Sequence, residues 1–341
     1  MKAVIIGGNG FLGKHVVNLF ISKGYETWIF DIYYDKKANI DAKFFKGSIC
    51  NEQDLNECLK DTDIVINCVS PPEYLNDINI FKQVNIDGTK NILKCCKSMG
   101  VTRILLVSSA SVVYEGKDIC NGNESLPYAQ SFLSPYIQTK IEQEKLVLQA
   151  NDTRNNFLTV AIRPHGIYGP GDKLLVPQTL KAAKENKLKF IVGDGRNVVD
   201  FTYVENVANA IFLASEKLKT NEKEISGQAF NITNDEPTLF WDFLTKIIVS
   251  KNYPAPKYKL PYSFIYFIAC ILQIIHIILS PLVKLNFTFT PMKVALISTH
   301  HYYSCQKAKK YLDYKPIYTM EQGFRKTMEA YDAEQMIPNS L

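Results

Sequence analysis

The sequence predicts an α/β fold, a doubly wound parallel sheet followed by a smaller C-terminal region. Two observations predict it. Short, continuously apolar runs alternate with longer amphipathic stretches through the first half of the chain, and a glycine-rich turn joins the first run to the first amphipathic stretch. At 341 residues, with 46% hydrophobic and 21% charged residues, the chain has the composition of a globular protein with a substantial core.

The apolar runs predict buried strands, because a strand that is covered on both faces is apolar throughout rather than alternately. These runs lie at residues 3–6, 27–30, 64–67, 104–107 and 159–162. The amphipathic stretches that predict helices lie at residues 12–23, 52–60, 80–99 and 135–149. Strand and helix in alternation imply right-handed crossovers, and therefore a parallel sheet with helices on both faces.

The turn after the first strand reads Gly7-Gly-Asn-Gly10-Phe-Leu-Gly13. Its spaced glycines allow a tight turn, a close approach of the backbone to a pyrophosphate, and packing of helix against strand. The backbone N–H groups of Phe11, Leu12 and Gly13 then face the phosphates from the N-terminus of the helix. The sequence therefore predicts a Rossmann-type dinucleotide site. The alternative is a glycine-rich turn without a ligand.

Asp31 ends the second predicted strand, 18 residues past Gly13. An acidic residue at this place hydrogen-bonds the adenosine ribose hydroxyls and repels a 2′-phosphate. Asp31 therefore predicts NAD as the cofactor, in preference to NADP.

Three side chains predict an alcohol oxidation site beside that cofactor. Tyr136 and Lys140 are one helical turn apart and project from the same face of a helix. The lysine ammonium lowers the pKa of the tyrosine, normally about 10, so that Tyr136 acts as general base; Lys140 also holds the nicotinamide ribose. Ser109 follows the fourth predicted strand and hydrogen-bonds the substrate oxygen. The alternative, a surface Tyr–Lys pair, does not account for the glycine turn, Asp31 and Ser109 together.

The charge and cysteine patterns argue against two further classes of function. The 39 basic and 34 acidic residues are interspersed and no basic block stands out, so nucleic-acid binding is not expected. The eight cysteines have no regular spacing, which predicts reduced, packed thiols rather than a disulfide framework or a metal site.

With these motifs in place, the chain resembles the extended short-chain dehydrogenase/reductases, and within them the 3β-hydroxysteroid dehydrogenase branch. The likeness covers nearly the whole chain. It is seen in Ser-Ser-Ala-Ser-Val at 108–112, Asn-Gly-Asn-Glu-Ser-Leu-Pro-Tyr-Ala at 121–129, Phe-Leu-Thr-Val-Ala-Ile-Arg-Pro-His-Gly at 157–166, Asp-Phe-Thr-Tyr-Val-Glu-Asn at 200–206, Phe-Asn-Ile-Thr-Asn-Asp-Glu-Pro at 230–237 and His-Tyr-Tyr-Ser at 301–304.

Within this branch the sequence is most similar to the members that act on 4α-carboxysterols at the C4-demethylation stage of sterol biosynthesis. The resemblance implies NAD-dependent oxidation of the 3β-hydroxyl to a ketone, after which the C4 carboxylate leaves as CO2. It also implies attachment to the cytosolic face of the endoplasmic reticulum membrane and to lipid droplets. Its implied protein partners are a second copy, through the helices at 80–99 and 135–149, and other enzymes of sterol C4 demethylation.

Ser48 and His165 are candidate contacts for the adenine and for the substrate, respectively. Relatives have Gly-Asp-Leu or Gly-Asp-Ile after the third strand, with the aspartate near the adenine, whereas this chain has Ser48 in place of the aspartate. Ser48 is expected to offer the adenine a hydrogen bond instead. His165 lies in a Pro-His-Gly turn and is a candidate contact for the substrate's 4-carboxylate. The alternative is a structural histidine.

Residues 262–283 contain no formal charge and are flanked by Lys257, Lys259 and Lys284. Their apolar centre, residues 264–279, reaches roughly 24 Å as a helix, short of the ~30 Å hydrocarbon core of a bilayer. A single span would also separate the catalytic half from the C-terminal motifs. We therefore expect this stretch to lie in the membrane interface. The alternatives are a span that includes the flanks and a helix buried at a domain or dimer contact.

The predicted organisation is an NAD-binding domain with the catalytic side chains at 1–165 and a substrate-binding region at 166–341, which includes the apolar membrane-associated segment. Two other functions stay open at this point. A 3β-hydroxysteroid dehydrogenase/Δ5-Δ4 isomerase would shift a double bond after the same oxidation. A non-catalytic redox sensor would bind NAD and turn over no sterol.

Overall fold

A seven-stranded parallel sheet forms the centre of the molecule. The computed structural model describes residues 1–35, 41–72, 75, 77–131, 134–220, 223–279 and 290–336, without the side chains of 276, 277 and 279. The strands of these parts are β1 (Lys2–Ile6), β2 (Glu26–Asp31), β3 (Lys43–Lys46), β4 (Ile64–Asn67), β5 (Arg103–Val107), β6 (Ile119–Gly122), β7 (Leu158–Pro164), β8 (Ile167–Tyr168), β9 (Phe190–Val192), β10 (Val198–Val199), β11 (Thr202–Tyr203), β12 (Gln228–Ile232), β13 (Thr238–Leu239), β14 (Tyr258–Leu260) and β15 (His301–Tyr303).

The helices lie on both faces of this sheet and in the C-terminal half. They are α1 (Phe11–Ser22), α2 (Glu52–Cys58), α3 (Ile78–Phe81), α4 (Gly88–Ser98), α5 (Pro135–Gln149), α6 (Leu175–Lys184), α7 (Val204–Lys219), α8 (Phe240–Val249), α9 (Tyr262–Leu279), α10 (Pro291–Leu296), α11 (Gln306–Leu312) and α12 (Met320–Met336). A π-helical segment, Lys82–Asp87, joins α3 to α4, and a short 3-10 turn, Ala110–Val113, follows β5.

The order of strands in the main sheet is β12-β7-β5-β4-β1-β2-β3, and every neighbouring pair is parallel. Chain order reverses between β1 and β4, so the connections that follow these two strands run in opposite directions. Ligands of open parallel sheets bind in the crevice that this reversal leaves at the carboxyl ends of the strands. The doubly wound parallel sheet predicted from the sequence is confirmed.

The two faces of the sheet are covered by separate apolar layers. Ala3 and Ile5 of β1 pack with α1 and α7 on one face, whereas Val4 and Ile6 pack with α2 and α4 on the other. All four side chains are fully buried. Fully burying a large apolar side chain of this kind stabilises a fold by about 1.5–3 kcal/mol. This explains why β1 is apolar from Ala3 to Ile6.

The sheets do not follow the boundary predicted at residues 165 and 166. β12, from the C-terminal half, forms the edge of the main sheet beside β7. β6, from the N-terminal half, belongs to a second sheet of order β13-β10-β15-β6, with the other strands from the C-terminal half. The assignment of 1–165 to NAD and of 166–341 to the substrate stays a prediction, but the two regions interlock rather than form separate units of sheet.

The helix predicted at 80–99 differs from the observed one in its middle. Residues 78–98 are helical throughout, but the π-helical segment widens the helix between α3 and α4. Asn85 in this segment is fully buried, and its side-chain amide donates to Thr139 of α5 at 3.0 Å. The wide turn therefore aims a polar side chain at the helix that carries Tyr136 and Lys140.

The apolar stretch predicted at 262–283 forms α9 as far as residue 279, and residues 280–283 lie outside the described part of the chain. In that described part, no helix combines the length and the hydropathy that crossing a bilayer requires. α9 packs on α10 through an inner face that includes the fully buried Ala269. Its opposite face is apolar and exposed: Phe267 is 63% exposed and Ile278 is 66% exposed.

Candidate active site

The glycine turn after β1 is packed too tightly for side chains. A Cβ on Gly13 would lie 2.1 Å from the carbonyl oxygen of Gly7, and Gly7 itself has φ of 77°, which favours glycine. Gly10 is different, because an added Cβ would meet only the Gly7 carbonyl oxygen, at 3.1 Å, and otherwise open space. That open side is where the backbone can approach a phosphate group.

The start of α1 fits the same group. Gly10 is its N-cap, no side chain caps the helix, and its first turn holds no acidic residue. The backbone N–H groups of Phe11, Leu12 and Gly13 lie at this uncapped end, where the helix dipole favours an anion. The residues predicted to hold the pyrophosphate are therefore together and suited to it.

Asp31 ends β2 beside this turn. Its Oδ2 accepts a hydrogen bond from the backbone N–H of Asn9 at 3.1 Å, and its Oδ1 accepts one from that of Ile32 at 2.8 Å. Burial raises the pKa of the Asp31 carboxyl, whereas these backbone donors oppose the rise. The carboxylate is thus fixed at the edge of the glycine turn, where the sequence predicts a contact with the adenosine ribose.

Ser48 is brought to the same edge by the next strand. The backbone N–H of Gly47 donates to the carbonyl oxygen of Asp31 at 3.0 Å, which places Ser48 close to the end of β2. The Oγ of Ser48 accepts a hydrogen bond from the Cys50 backbone at 3.2 Å, and its N–H donates to Asp54 at 3.0 Å. Ser48 therefore occupies a fixed turn beside Asp31.

Tyr136 and Lys140 lie in the first two turns of α5. Pro135 begins this helix, and the Oγ of Ser134 caps it by accepting the N–H of Ile137 at 3.3 Å. Tyr136 is half-buried and packs against Phe81, with the ring centroids 6.1 Å apart. The structure thus confirms the predicted helix and places both side chains on it.

The ammonium of Lys140 is buried and is held by two neutral oxygens. Its Nζ donates to the carbonyl oxygen of Val107 at 2.7 Å and to Oε1 of Gln143 at 2.6 Å. Burial lowers its pKa to about 8, against the opposing effect of Glu144. The amide of Gln143 donates in turn to Thr89 of α4 at 3.0 Å. The contact between Gln143 and Thr89 could not be predicted from the sequence, because only the packing of α5 on α4 brings these residues together.

Ser109 lies two residues past the carbonyl that Lys140 contacts. Its Oγ is 2.8 Å from Oγ of Ser111, and it accepts the Ser111 backbone N–H at 3.2 Å. Because Lys140 reaches Val107 at the end of β5, Ser109 and the start of α5 meet at the carboxyl edge of the sheet. The Ser109 side chain is half-buried there.

A buried ion pair fixes α5 to the sheet. Arg163 of β7 donates through Nε to Oε2 of Glu144 at 2.9 Å and through Nη2 to Oε1 at 2.5 Å, and the hydroxyl of Tyr128 donates to Oε1 at 2.8 Å. Burial alone would lower the pKa of Arg163, but the hydrogen bonds and charge of Glu144 outweigh this effect, and the pKa is raised overall. The sequence contains one signal for Glu144, its position one helical turn beyond Lys140 on α5.

His165 is half-buried at the end of β7 and contacts a second histidine. Its Nδ1 is 2.9 Å from the carbonyl oxygen of Asp200, and its Nε2 is 3.2 Å from Nδ1 of His301. Burial and the neighbouring His301 lower the pKa of His165 to about 3. The two histidines are 136 residues apart in the chain, so local sequence patterns carry no signal for this contact.

The arrangement suits proton and hydride transfer. Over the described residues, no three His, Cys, Asp or Glu side chains converge as metal ligands. Lys140, a buried cation, contacts the end of β5 and shares α5 with Tyr136 one turn away, and Ser109 follows the same strand. This set can remove a proton from an alcohol next to a hydride acceptor.

Comparisons with known proteins agree with this geometry. The model of the 3-beta hydroxysteroid dehydrogenase/isomerase family matches residues 4–262. A Mus musculus protein named sterol-4-alpha-carboxylate 3-dehydrogenase, decarboxylating, is 48% identical over 330 residues, which cover 97% of this chain and 91% of that protein. A Saccharomyces cerevisiae protein of that name is 34% identical over 349 residues, which cover 97% and 98%.

A solved structure shows the same fold at a greater distance. The dTDP-glucose 4,6-dehydratase from Bacillus anthracis, in complex with NAD, superposes with a TM-score of 0.73 over 98% of this chain and 97% of that one, at 20% identity. Because the family model spans most of the sequence and the two named relatives align along nearly all of it, this chain belongs to the 3-beta hydroxysteroid dehydrogenase/isomerase family.

Proposed function

We propose that this protein oxidises the 3β-hydroxyl of a 4α-carboxysterol with NAD, and that the C4 carboxylate then leaves as CO2, a C4-demethylation step of sterol biosynthesis. The observation that carries the proposal is the contact of Lys140, one helical turn from Tyr136 on α5, with the end of β5, the strand that Ser109 follows. The substrate is supported by the name of the relative that is 48% identical over 97% of the chain.

The residues that would bind NAD each suit a different part of the cofactor. The turn of Gly7, Gly10 and Gly13, with the N–H groups of Phe11 and Leu12, suits the pyrophosphate. Asp31 suits the adenosine ribose, Ser48 the adenine edge, and Lys140 the nicotinamide ribose. When bound, NAD supplies the acceptor for the hydride that leaves C3 of the sterol.

Tyr136 removes the proton of the 3-hydroxyl as the hydride leaves the same carbon. Lys140, with a pKa of about 8, is mainly the ammonium near neutral pH, and its positive charge favours the phenolate of Tyr136. Ser109 donates a hydrogen bond to the substrate oxygen. The three groups therefore have the distinct tasks of base, cation and positioning donor.

Loss of CO2 follows from the product of this oxidation. A ketone at C3 beside a carboxylate at C4 is a β-keto acid, in which the electrons of the breaking C–C bond pass to the carbonyl oxygen as CO2 leaves. The resulting enolate takes a proton and becomes the 3-ketone. The protein needs to hold the carboxylate in place but supplies no further oxidant.

Replacement of Tyr136 by phenylalanine tests the proposal. With a 4α-carboxysterol and NAD, we expect Tyr136→Phe to lower both NADH formation and CO2 release by roughly 10²–10⁴-fold, because the general base is lost. The dissociation constant of NAD, measured by titration, should stay unchanged. Tyr258→Phe removes a hydroxyl from a tyrosine that is 62% exposed and is the matched control. Turnover by Tyr136→Phe at the rate of this control would refute the assignment.

The same assay separates the alternatives. An enone absorbance with a Δ5-3β-hydroxysteroid, without CO2 release from a carboxysterol, would indicate the isomerase reaction instead. Tight NAD binding without turnover of either sterol would indicate a redox sensor.

We further propose that the protein binds the cytosolic face of the endoplasmic reticulum membrane, and lipid droplets, through α9. The support is the apolar, exposed face of this helix, since soluble monomers rarely expose a contiguous patch of this kind. Tyr266 of α9 and Met292 of α10 belong to the same apolar cluster as Tyr136. A sterol that leaves the lipid along this cluster would reach the catalytic tyrosine without crossing water.

We also propose a homodimer through the helices at 80–99 and 135–149, and association with other enzymes of sterol C4 demethylation. Sedimentation of the detergent-solubilised protein tests the first, and co-purification from membranes tests the second. A sedimenting monomer at micromolar concentration would refute the dimer.

A further inference from the structure

Two histidines face each other next to the proposed active site. His165 follows β7 and His301 begins β15. Nε2 of His165 lies 3.2 Å from Nδ1 of His301. The other nitrogen of each ring lies near a backbone carbonyl oxygen: Nδ1 of His165 is 2.9 Å from that of Asp200, and Nε2 of His301 is 2.7 Å from that of Leu296.

These carbonyls determine where the protons are. A carbonyl oxygen only accepts, so Nδ1 of His165 and Nε2 of His301 each carry a hydrogen. A neutral imidazole has one N–H, and the two facing nitrogens are therefore both lone pairs. One additional proton between them would convert a repulsive contact into a hydrogen bond and give the pair a single positive charge.

Burial opposes that proton when no anion is near. It lowers the pKa of both histidines, that of His165 to about 3. A negative charge nearby acts in the other direction. The titratable groups that face the pair from the elements packed around it are Asp200, Asp118, His300, Tyr114 and Tyr303. Of these, Asp200 contacts His165 through its backbone oxygen.

The pair lies on the substrate side of the site. Val107 of β5 is opposite Ile162 of β7, so Ser109 and His165 follow the ends of neighbouring strands, which are about 4.8 Å apart. The ring of Tyr303, 5.1 Å from that of His165, belongs to the same apolar cluster as Tyr136. His301 is only 4% exposed, whereas His165 keeps part of its surface open.

We propose that the His165–His301 pair takes up one proton as the 4-carboxylate of the substrate binds beside it, and that the shared positive charge recognises this carboxylate. The proposal rests on the sterol reaction proposed above. Both nitrogens of His165 are engaged, so the pair acts through its charge rather than through a donated hydrogen bond. The nearby buried Arg163 is already neutralised by Glu144.

The number of protons bound with the ligand tests the proposal. The full-length protein, saturated with NAD, is titrated calorimetrically at pH 6 in two buffers of different ionisation enthalpy. At this pH Lys140, with a pKa of about 8, is already protonated, and Asp200, with a pKa of about 7, is largely so. The ligands are a 3-deoxy-4α-carboxysterol, which cannot be oxidised, and its neutral 4α-carboxamide. We expect uptake of about one proton with the carboxylate, none with the amide, and affinity for the carboxylate about tenfold higher or more.

His301→Phe keeps an aromatic ring against Tyr114 but removes the proton acceptor. We expect it to abolish proton uptake and to bring the two affinities within about twofold of each other. His301→Gln is a second variant in case the first does not fold, and His300→Gln, the adjacent histidine outside the pair, is the control that should retain both properties.

Two results would overturn the inference: wild-type protein that binds the carboxysterol without taking up a proton, or His301 variants that lose affinity for both ligands equally. The wild-type proton count is compared with that of the His301 variants, because only a proton that the variants fail to take up belongs to the pair. If the wild type neither binds nor turns over 4-carboxysterols, the proposed function fails instead, so the two failures are distinguishable.

Discussion

Lys140 is a buried cation whose hydrogen-bond partners are both neutral. The oxygens of Val107 and Gln143 orient its Nζ without supplying a counter-charge, and burial lowers its pKa to about 8 although Glu144 opposes this shift. An ammonium in a site of low polarity acts strongly on a nearby group that can become an anion. The field of Lys140 is therefore available to the phenol of Tyr136, one turn away.

Replacement of the single residue Asp31 tests whether the protein prefers NAD over NADP. We expect Asp31→Asn to weaken NAD binding by roughly tenfold or more, because a hydrogen bond to a charged group contributes about 1.5–3 kcal/mol. The ratio of the NADP to the NAD dissociation constant should fall, since the repulsion of a 2′-phosphate is removed. Both constants are measured by fluorescence titration.

Asp35→Asn is the matched control, because Asp35 loses the same charge four residues further on, where it pairs with Lys14 at 2.5 Å. A nucleotide preference that changes equally in both variants would mean that the net charge of this edge, and not the Asp31 contact, selects NAD.

Contacts between residues that are close in the sequence could be predicted from it, whereas contacts between residues far apart in the sequence could not. Tyr136 and Lys140 are one helical turn apart, a spacing that the sequence fixes by itself. Glu144 and Arg163 belong to different elements, and His165 meets a histidine 136 positions away. Only the packing of β7, β15 and α5 brings these partners together, so the charged framework of the site required the structure.

At the scale of elements, α5 is the part that joins the site to the sheet. Tyr136, Lys140 and Glu144 recur at intervals of four residues and so share one face of this helix. The first packs against Phe81 of α3, the second contacts the end of β5, and the third binds Arg163 of β7. The bounds of α5 were predictable because Pro135 and Ser134 mark its start, whereas nothing in the sequence indicated the π-helical segment opposite it.

The Arg163–Glu144 pair should therefore be important for stability. We expect Glu144→Gln to destabilise the protein by about 3–5 kcal/mol, since it leaves a buried guanidinium unpaired. Removal of both charges in Glu144→Leu/Arg163→Met should restore much of the loss. Thermal unfolding followed by circular dichroism gives the comparison.

Glu142→Gln on the same helix is the control, because its pair with Lys145, at 3.3 Å, is exposed and should contribute no more than about 1 kcal/mol. An equal effect of Glu142→Gln and Glu144→Gln would show that the buried pair does not hold α5 in place.

At the scale of the whole molecule, α9 contributes to both the proposed active site and the proposed membrane-binding surface. Tyr266 of α9 packs in the cluster that contains Tyr136, while Phe264, Phe267 and Ile271 face outward from the same helix. The sequence predicted an apolar helix here. It could not predict which side would be exposed, because α9 is apolar nearly all round and the choice depends on its packing against α10.

This arrangement predicts how charges on α9 affect the protein. We expect Phe267→Glu/Ile271→Glu to move the protein from the pellet to the supernatant when it is sedimented with phosphatidylcholine vesicles, because two carboxylates on the apolar face oppose its insertion. Gln273→Glu is the matched control for Ile271→Glu alone: it adds the same charge at an exposed polar position two residues further on, nearly opposite on the helix, and should stay with the vesicles. Turnover of a 4α-carboxysterol delivered in detergent should be similar in all these variants, since none of the changed residues lies in the cluster around Tyr136. If the wild type does not sediment with vesicles and instead forms dimers that the first variant disrupts, a second copy of the chain, rather than lipid, covers this face.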